Sequence, residues 1–297
     1  MQRYKVTVEY LGSAFYGFQA QCDAFPTVQG ELERAFKRLV GEQNTSRVIA
    51  SSRTDAGVHA VENVCHVDLR RERQWSKGCA SSKPLETLPA HSPNVVQNAI
   101  NSFLREQNQP IIVRHVEAVS SGFHSRFDAC GREYVYHIRM PQVSTSGSHK
   151  DHPSFLPTGV FTRDLSWHVP VPLDVDAMAK ACCHFLGKHD FTSFRGVKCQ
   201  ASSPVRSLES LTIETIAPST QDALNAQDLV LLQVHASAPS FLYHMVRNIV
   251  GTLVAVGRHK LQPEDIPRIL AGRNRQLAPP MAPAHGLYLT KVKYNLD

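Results

Sequence analysis

The sequence lacks the patterns by which several large classes of protein are recognised. Its seven cysteines include no C-x-x-C pair, which argues against zinc ribbons and disulfide frameworks and favours a reducing compartment. There is no G-x-G-x-x-G or Walker motif to bind a nucleotide cofactor, and no G-x-S-x-G motif of a serine hydrolase. The fifteen histidines are scattered, so we expect no bound metal.

Long apolar runs are also missing. No window approaches the roughly 18 consecutive apolar residues that a membrane-spanning helix requires. The longest apolar-rich stretch, Phe241 to Val256, is interrupted by His244, Arg247 and Asn248. The first residues enter a strand pattern directly, without a secretory core or an Arg/Ser-rich leader. We therefore expect no membrane association and a cytoplasmic, nuclear or mitochondrial location.

The composition is that of an ordinary globular protein with a mild basic excess. The 297 residues allow one large or two medium domains, and 42% of them are hydrophobic, enough for a sizeable core. The net charge of +6 favours a polyanionic partner, because each Lys or Arg near a phosphate releases counterions. Such an excess is common, so the charge alone supports a nucleic-acid partner only modestly.

Hydrophobic periodicity predicts the element order β-α-β-β-α-β twice along the chain. The first set comprises strands at 3–10, 47–50, 60–69 and 111–116 with helices at 28–40 and 94–106. The second comprises strands at 132–140, 207–216, 228–238 and 287–294 with helices at 174–186, 241–257 and 263–271. This order predicts an α+β fold of two tandem ferredoxin-like units. We place the domains at 1–118 and 119–297.

Two stretches interrupt the pattern, Gln74 to Pro93 and Pro141 to Thr162. The first is rich in Ser, Pro, Ala and Gly, and the second contains the run Ser-Thr-Ser-Gly-Ser-His-Lys. Both are predicted to be long loops, a type of segment that is often disordered or contacts a partner.

The most informative segment is Ser51 to Ala60, with the sequence Ser-Ser-Arg-Thr-Asp-Ala-Gly-Val-His-Ala. Predicted strands flank it on both sides, so Asp55 lies on a tight Ala-Gly turn with little freedom. Arg53, two residues earlier, is a cation that favours the ionised carboxylate. A carboxylate presented in this way suits a nucleophile or a polar clamp.

Arg247 lies in an otherwise apolar predicted helix. A buried arginine is rarely left unpaired, because an uncompensated buried charge is costly. Asp55 is the partner that we predict for it. An arginine that reaches the surface, or one that pairs with a structural acid such as Glu264, is equally consistent with the sequence.

Aromatic residues and arginines alternate between Phe123 and Tyr136. Bases stack on aromatic rings while guanidinium groups hold phosphates, so this mixture suits an exposed nucleotide. The spacing of Tyr134 and Tyr136 is also typical of a strand that packs on one face, and for either tyrosine alone we favour that structural interpretation. Arg206 follows in a predicted loop, where a structural role is favoured over a phosphate contact.

Taken together, the motifs resemble those of the TruA family of tRNA pseudouridine synthases over almost the whole chain. One such motif could arise by chance, whereas this many in order are highly specific. They are Tyr10-Leu11-Gly12 with Phe15–Gln19, Val28–Gly30, Arg53–Ala60, Phe123–Phe127, Arg132–Tyr136, Gly187–Phe194, Ser203–Arg206, Phe241–Gly251 and Ala282–Leu289. The double serine before Arg53 and the run Met281–Gly286 are most similar to the eukaryotic "tRNA pseudouridine synthase-like" branch.

The resemblance implies roles for individual residues. Asp55 matches the catalytic nucleophile, Arg247 the arginine that forms a salt bridge with it, and Arg53 the arginine that helps to evert the nucleotide. Tyr134 matches the tyrosine that stacks near the target base. The substrate contacts that we predict are Tyr134, Leu287, which matches an apolar residue of the pocket, Arg126 and Arg206.

The resemblance also implies a fold and a reaction. The family has two ferredoxin-like halves that share a central mixed or antiparallel sheet with a basic cleft, and its bacterial members are homodimers. The substrate is tRNA or another structured RNA, and the reaction needs no cofactor because uridine is isomerised to pseudouridine without redox change. Attack of Asp55 on C1′, attack on C6 and a glycal route all stay open. The insertions at 74–93 and 141–162 depart from the family pattern and bear on the target site and the dimer geometry.

Two other functions compete with this one. The first is a non-catalytic RNA-binding or chaperone protein of the same fold, against which the joint presence of Arg53, Asp55, Tyr134 and Arg247 argues. The second is an aspartate-nucleophile glycosidase or phosphatase. That class needs a second acid or a metal-binding carboxylate at suitable spacing, and the sequence offers none.

Overall fold

The computed structural model describes residues 1–21, 25–72, 86–141, 159–216 and 229–295. The chain forms two compact units, Met1–Cys130 with Lys291–Asp297 (unit 1) and Gly131–Thr290 (unit 2). The described residues include five α-helices and a mixed sheet of nine strands, which confirms the predicted α+β class. The assignment of separate functional domains to 1–118 and 119–297 stays a prediction.

Unit 1 has the predicted order of four strands and two helices. They are β1 (Gln2–Tyr10), α1 (Val28–Val40), β2 (Ile49–Ala50), β3 (His59–Leu69), α2 (Pro93–Glu106) and β4 (Ile111–Val119). The strands follow the order β4-β1-β3, and β2 pairs with β3. All of these pairings are antiparallel, as a ferredoxin-like unit requires.

Helix α1 begins and ends at the predicted residues. The Thr27 hydroxyl accepts a hydrogen bond from the Gly30 N–H at 3.2 Å, which caps the first turn. Gly41 ends the helix with a φ of 92°, a conformation that side-chain-bearing residues rarely adopt. Leu32 and Phe36 on the apolar face are fully buried, and each contributes about 1.5–3 kcal/mol of transfer free energy.

Unit 2 repeats this order with additional elements. They are β5 (Ala129–Pro141), β6 (Trp167–His168), α3 (Val175–Cys183), β7 (Gly187–Asp190), β8 (Val205–Leu208), β9 (Ser210–Ile216), β10 (Leu229–Ala238), α4 (Met245–Gly257), α5 (Asp265–Ala271) and β11 (Leu287–Tyr294). Only the first four residues of β11 belong to this unit. Strand β10 pairs antiparallel with β5 and with β9, whereas β6 is parallel to β5. Strands β7 and β8 form a separate small sheet.

Several elements of unit 2 differ from the sequence prediction. Helix α3, predicted over 174–186, ends at Cys183, and α5, predicted over 263–271, begins at Asp265. Helix α4 begins at Met245 and not at Phe241, because His244 adopts a left-handed φ of 64° that a right-handed helix cannot continue. The strand predicted over 207–216 is two strands, interrupted at Glu209. The chain changes partners there, since β8 pairs with β7 while β9 pairs with β10.

The predicted long loops lie mostly outside the described residues, which omit 73–85 and 142–158. Asp228, the predicted first residue of one strand, also lies outside them. None of the described helices combines the length and the apolar character that a membrane crossing requires.

A buried histidine anchors the last segment of unit 1 before β5. His66 on β3 is 3% exposed, and its Nδ1 accepts a hydrogen bond from the Ser125 N–H at 3.1 Å. The Ser125 hydroxyl donates to the Ile49 carbonyl at 2.6 Å, and the Tyr294 hydroxyl donates to the Ser125 carbonyl at 2.6 Å. Burial, and secondarily the charge of Arg3, lowers the pKa of His66 from 6.5 to about 4.

We expect His66 to make the fold less stable in mild acid. The unfolded chain protonates this imidazole near pH 6.5 and the folded chain only near pH 4, so the unfolded state binds more protons between these values. The residue therefore removes up to about 2 kcal/mol of unfolding free energy between pH 6.5 and 5. Urea denaturation at a series of pH values measures this slope.

The matched variant for that experiment is His66→Gln. It should be less stable at pH 7.5 but should lose less further stability on acidification than the wild-type chain. His91, His168 and His285, whose pKa values burial also lowers, stay in both proteins, so the difference isolates His66. Parallel stability curves for the two proteins would contradict the assignment.

Candidate functional site

Asp55 opens a tight turn that the backbone closes. Its carbonyl accepts a hydrogen bond from the Val58 N–H at 3.1 Å, and Gly57 within the turn has a φ of 80°. Val58 is buried, and on the other side the Ser51 N–H donates to the Val64 carbonyl at 2.8 Å. The turn is therefore held at both ends, as its predicted position between two strands requires. The Asp55 residue itself is partly exposed.

A second segment of unit 1 lies against the backbone of this loop. The Phe18 N–H donates to the Thr54 carbonyl at 3.0 Å. Gly17 has a φ of 99°, and a Cβ on it would lie 3.1 Å from that same carbonyl oxygen. A Cβ on Gly12 would lie 1.9 Å from the Val58 carbonyl oxygen, well inside contact distance. Both positions therefore require glycine if the two segments are to approach this closely.

A buried polar network lies behind the loop. The Tyr10 hydroxyl and the Thr54 hydroxyl are 2.7 Å apart and hydrogen-bonded. The Asn63 amide donates to the Tyr10 hydroxyl at 3.1 Å and to the Ser52 carbonyl at 3.0 Å. Tyr10 and Asn63 are both fully buried. The network thus connects strands β1 and β3 to Ser52 and Thr54, which lie within three residues before Asp55.

The sequence prediction assigned no role in this network to Asn63. The sequence did hold one indication of a special role for Asn63: asparagine is disfavoured inside strands, and Asn63 lies in the middle of β3. Its Oδ1 atom is buried and has no hydrogen-bond partner among the described residues, which costs about 1–3 kcal/mol. The fold therefore tolerates a local penalty in order to hold the backbone at Ser52.

Arg53 is exposed and lies beside the same loop. Its guanidinium donates to the Gln19 side-chain carbonyl at 3.0 Å. This hydrogen bond connects the Arg-Thr-Asp segment to the end of the segment that contains Gly17 and Phe18. The predicted role of Arg53 in everting a nucleotide stays a prediction.

In unit 2, Arg247 lies on the first turn of α4 and is only 9% exposed. Its Nε donates to the Ala282 carbonyl at 2.9 Å, and its own carbonyl accepts from the Ala282 N–H at 3.1 Å. The Arg247 side chain therefore does not reach the surface. Glu264, the alternative partner that the sequence offered, is an exposed residue. The predicted pairing with Asp55, a residue of unit 1, stays a prediction.

The position of Arg247 is set by the packing of α4. The next residue, Asn248, donates from its amide to the Phe194 carbonyl at 2.8 Å and accepts from Arg275 at 3.0 Å. A Cβ on Gly251 would lie 2.2 Å from the Pro280 carbonyl oxygen, so only glycine lets this segment approach the helix. These contacts fix the rotation of the helix, and with it the buried face that carries Arg247.

The two tyrosines of β5 are two residues apart and share one face of the strand, but they differ in burial. Tyr136 is fully buried, and its hydroxyl donates to the Pro283 carbonyl at 2.7 Å, so its role is in the core. Tyr134 is partly exposed, and its ring meets the edge of Phe241 at 5.1 Å between centroids. Leu287, at the start of β11, is 5% exposed. A stacking role for Tyr134 and a pocket role for Leu287 stay predictions.

The two arginines predicted to contact RNA have different surroundings. Arg126 is exposed on the loop that follows β4. Arg206 lies on strand β8 and not in a loop, and its guanidinium donates to the Ser203 and Val205 carbonyls at 3.0 and 2.6 Å. These local bonds favour a structural role for Arg206. Its predicted contact with RNA stays a prediction.

Metal-ligating side chains are dispersed in the part of the chain that the structure describes, where no three His, Cys, Asp or Glu residues could hold a metal ion together. Cys65 and Cys182 are buried, and burial raises the pKa of each thiol to about 12, so neither is an activated nucleophile at neutral pH. The expectation that the reaction needs no metal or cofactor stays a prediction.

Comparison with known proteins assigns the family. A family model described as tRNA pseudouridine synthase matches residues 6–128 and 181–295. The chain belongs to this family. The tRNA pseudouridine synthase A of Rhodospirillum centenum is 39% identical over 297 residues, covering 99% of the chain and 100% of that protein. Those of Azorhizobium caulinodans and Allorhizobium ampelinum are each 38% identical, covering 99% and 100% of the chain and 95% and 96% of their own lengths.

The family match includes the loop of Asp55 in unit 1 and the helix of Arg247 in unit 2. It does not include residues 129–180, which contain Tyr134 and one of the two insertions. None of the three relatives is a eukaryotic protein, so the narrower similarity to a eukaryotic branch of the tRNA pseudouridine synthase family stays a prediction.

We expect Tyr10→Phe to loosen the loop of Asp55. The substitution leaves the Thr54 hydroxyl without its partner and removes one acceptor from Asn63, at a cost of about 1–3 kcal/mol in unfolding free energy. Amide hydrogen exchange at Phe18 and Val58, whose N–H groups bond to Thr54 and Asp55, should therefore accelerate.

Tyr4→Phe is the matched control for this experiment. Tyr4 is buried on the same strand, but its hydroxyl donates to the His91 carbonyl, away from the loop. It should reduce stability without a selective effect on the amides of Phe18 and Val58. Equal acceleration at these two amides in both variants would show that the Tyr10 network does not hold the loop.

Proposed function

We propose that this member of the tRNA pseudouridine synthase family isomerises uridine to pseudouridine in tRNA, with Asp55 as the nucleophile. One observation carries the proposal: Asp55 lies on a turn held by β3, by Phe18 and by the Tyr10 network. A carboxylate on such a rigid support needs little reorganisation when the reaction begins. The net charge of +6 suits a polyanionic substrate.

The proposed reaction breaks one bond to the ribose and forms another. The N1–C1′ bond breaks, the uracil ring turns, and C5 bonds to C1′. Any bond that Asp55 forms to C1′ or C6 during the cycle is broken again, so the carboxylate is regenerated. The proton on C5 leaves to solvent and N1 gains a proton, so atoms and electrons balance without a redox partner. Because a stacked uridine hides these atoms, the target nucleotide must first leave the helix.

Each remaining residue has a separate proposed task. Arg247 pairs with the Asp55 carboxylate through its opposite charge and holds it in position. Arg53, exposed beside the turn, occupies the space that the everted nucleotide leaves. Tyr134 stacks on the base and passes the C5 proton on to solvent late in the cycle. Leu287 supplies an apolar wall to the pocket.

The same proposal covers assembly and location. A homodimer follows from the resemblance to bacterial members, and sedimentation of the purified chain measures it. The cytoplasm, the nucleus or the mitochondrion is the proposed compartment. No observation on the described residues favours the alternative of a non-catalytic RNA chaperone, and the four catalytic residue types are all present at their positions.

We expect Asp55→Asn to abolish turnover while it preserves the fold and the affinity for RNA. Loss of a nucleophile in an enzyme typically lowers kcat by more than about 10³-fold. Tritium release from tRNA that carries 5-tritiated uridine measures turnover directly. Glu62→Gln, which removes a partly exposed acid on β3 outside the turn, is the control and should stay active. A normally active Asp55→Asn enzyme would falsify the assignment.

A double-mutant cycle tests the proposed pair of Asp55 and Arg247. Arg247→Ala is expected to reduce both stability and turnover, because it leaves the carboxylate unpaired and removes the donor to Ala282. If the two side chains interact, the unfolding free energies of Asp55→Asn, Arg247→Ala and the double variant should show a coupling above about 1 kcal/mol.

The control cycle replaces Arg247→Ala with Arg275→Ala. Arg275 is a partly buried guanidinium of unit 2, but it bonds to Asn248. Its coupling with Asp55→Asn should be close to zero. A coupling for Arg247 no larger than that for Arg275 would refute the pairing.

A further inference from the structure

Phe127 is a phenylalanine that the fold leaves in solvent, with 75% of its surface exposed. Phe18 and Phe36 of the same unit are almost completely buried. A single exposed apolar side chain is ordinary on a protein surface and by itself carries no function. What distinguishes Phe127 is the amount of structure that holds it in this position.

The loop of Phe127 is closed by its own hydrogen bonds. His124 Nδ1 accepts from the N–H groups of Arg126 and Phe127 at 3.2 and 3.3 Å. The His124 N–H donates to the Asp128 carboxylate at 2.8 Å, and the Asp128 N–H donates to the His124 carbonyl at 3.0 Å. The backbone at Phe127 is therefore fixed from both sides.

The loop is also anchored in the core of unit 1. Ser125 has no exposed surface and bonds to His66, to the Ile49 carbonyl and to the Tyr294 hydroxyl. Fixing the backbone of one residue costs about 1–2 kcal/mol of conformational entropy. Because the loop is already ordered in the folded protein, a ligand does not have to supply this free energy when it binds. A ligand that binds Phe127 would therefore meet a preorganised surface.

The ring of Phe127 has neighbours suited to a nucleotide. It stacks on the imidazole of His124, with 4.2 Å between centroids and 28° between planes. The guanidinium carbon of Arg126, an exposed residue, lies 5.8 Å from the ring centroid. A planar aromatic surface beside a cation matches the chemistry by which proteins bind unpaired bases and their phosphates.

We propose that Phe127, backed by His124 and flanked by Arg126, is a stacking platform for an unpaired base of the RNA substrate. The proposal rests on the proposed function and adds to it a second binding point in unit 1. Ser125 bonds to Ile49, which precedes Asp55 by six residues, so the Cα atoms of Ile49 and Asp55 are at most roughly 20 Å apart. One RNA can therefore engage both points. Stacking accepts any base, so the platform contributes affinity without base selectivity.

Binding of a labelled tRNA transcript and tritium release together test the platform. Phe127→Ala should weaken tRNA binding about 5- to 150-fold, the effect of losing one stacked base. The KM should rise by a similar factor while kcat at saturating tRNA stays unchanged. Phe127→Trp should retain binding because it restores a flat ring. Val197→Ala, which truncates an exposed apolar side chain of unit 2 outside both insertions, is the control and should bind normally.

The salt dependence of binding separates stacking from charge. Arg126→Gln should reduce the slope of log affinity against log salt concentration by about one unit if its guanidinium contacts a phosphate. Phe127→Ala should leave this slope unchanged while it lowers the affinity at every salt concentration. Thermal unfolding of Phe127→Ala should match the wild type, because the ring is exposed.

These experiments test the platform and the proposed function separately. Wild-type affinity in Phe127→Ala overturns the platform, and so does a loss of self-association with unchanged tRNA binding, which would make Phe127 a contact between copies of the chain. A wild-type chain that binds tRNA but releases no tritium overturns the proposed function. In that case weaker tRNA binding by Phe127→Ala still supports the platform.

Discussion

The close approach of two backbone segments, marked by the hydrogen bond from Phe18 to the Thr54 carbonyl, is the constraint on which the site in unit 1 depends. It is possible only because Gly12 and Gly17 have no Cβ to keep the segments apart. With this contact in place, the turn of Asp55 is enclosed between a strand on one side and a packed segment on the other. The fixed position of the Asp55 turn thus depends on the two glycines as much as on the hydrogen bonds around the turn.

Two buried polar side chains of β3 serve position rather than stability. Asn63 holds the Ser52 carbonyl although its own Oδ1 lacks a partner, and His66 stays neutral in the core so that it can accept from Ser125. Apolar residues of the same volume would avoid these costs but would not bond to a loop backbone. Such locally unfavourable arrangements are expected where a structure must hold functional groups in place.

Unit 2 uses the same principle on a helix. Gly251 allows the Pro280 backbone to approach α4, Asn248 fixes the helix to two neighbouring segments, and Arg247 meets the Ala282 carbonyl. The local sequence predicted a buried helix with one charge in it. It did not reveal which segment would lie against the charged face, because residues 278–283 carry no periodic signal and their position depends on contacts more than 30 residues away in sequence.

The sequence by itself determined the features that depend on near neighbours. Thr27 and Gly41 bound α1, alternation defines β1 and β3, and the Ala-Gly pair predicts the turn of Asp55, because caps, periodicity and turns act over a few residues. Only the tertiary structure decided the start of α4 at Met245, the partner change at Glu209, the Tyr10–Thr54–Asn63 network and the exposure of Phe127. The partner change, the network and the anchoring of the Phe127 loop through Ser125 depend on contacts between residues far apart in the chain, and such contacts leave no pattern within any local window.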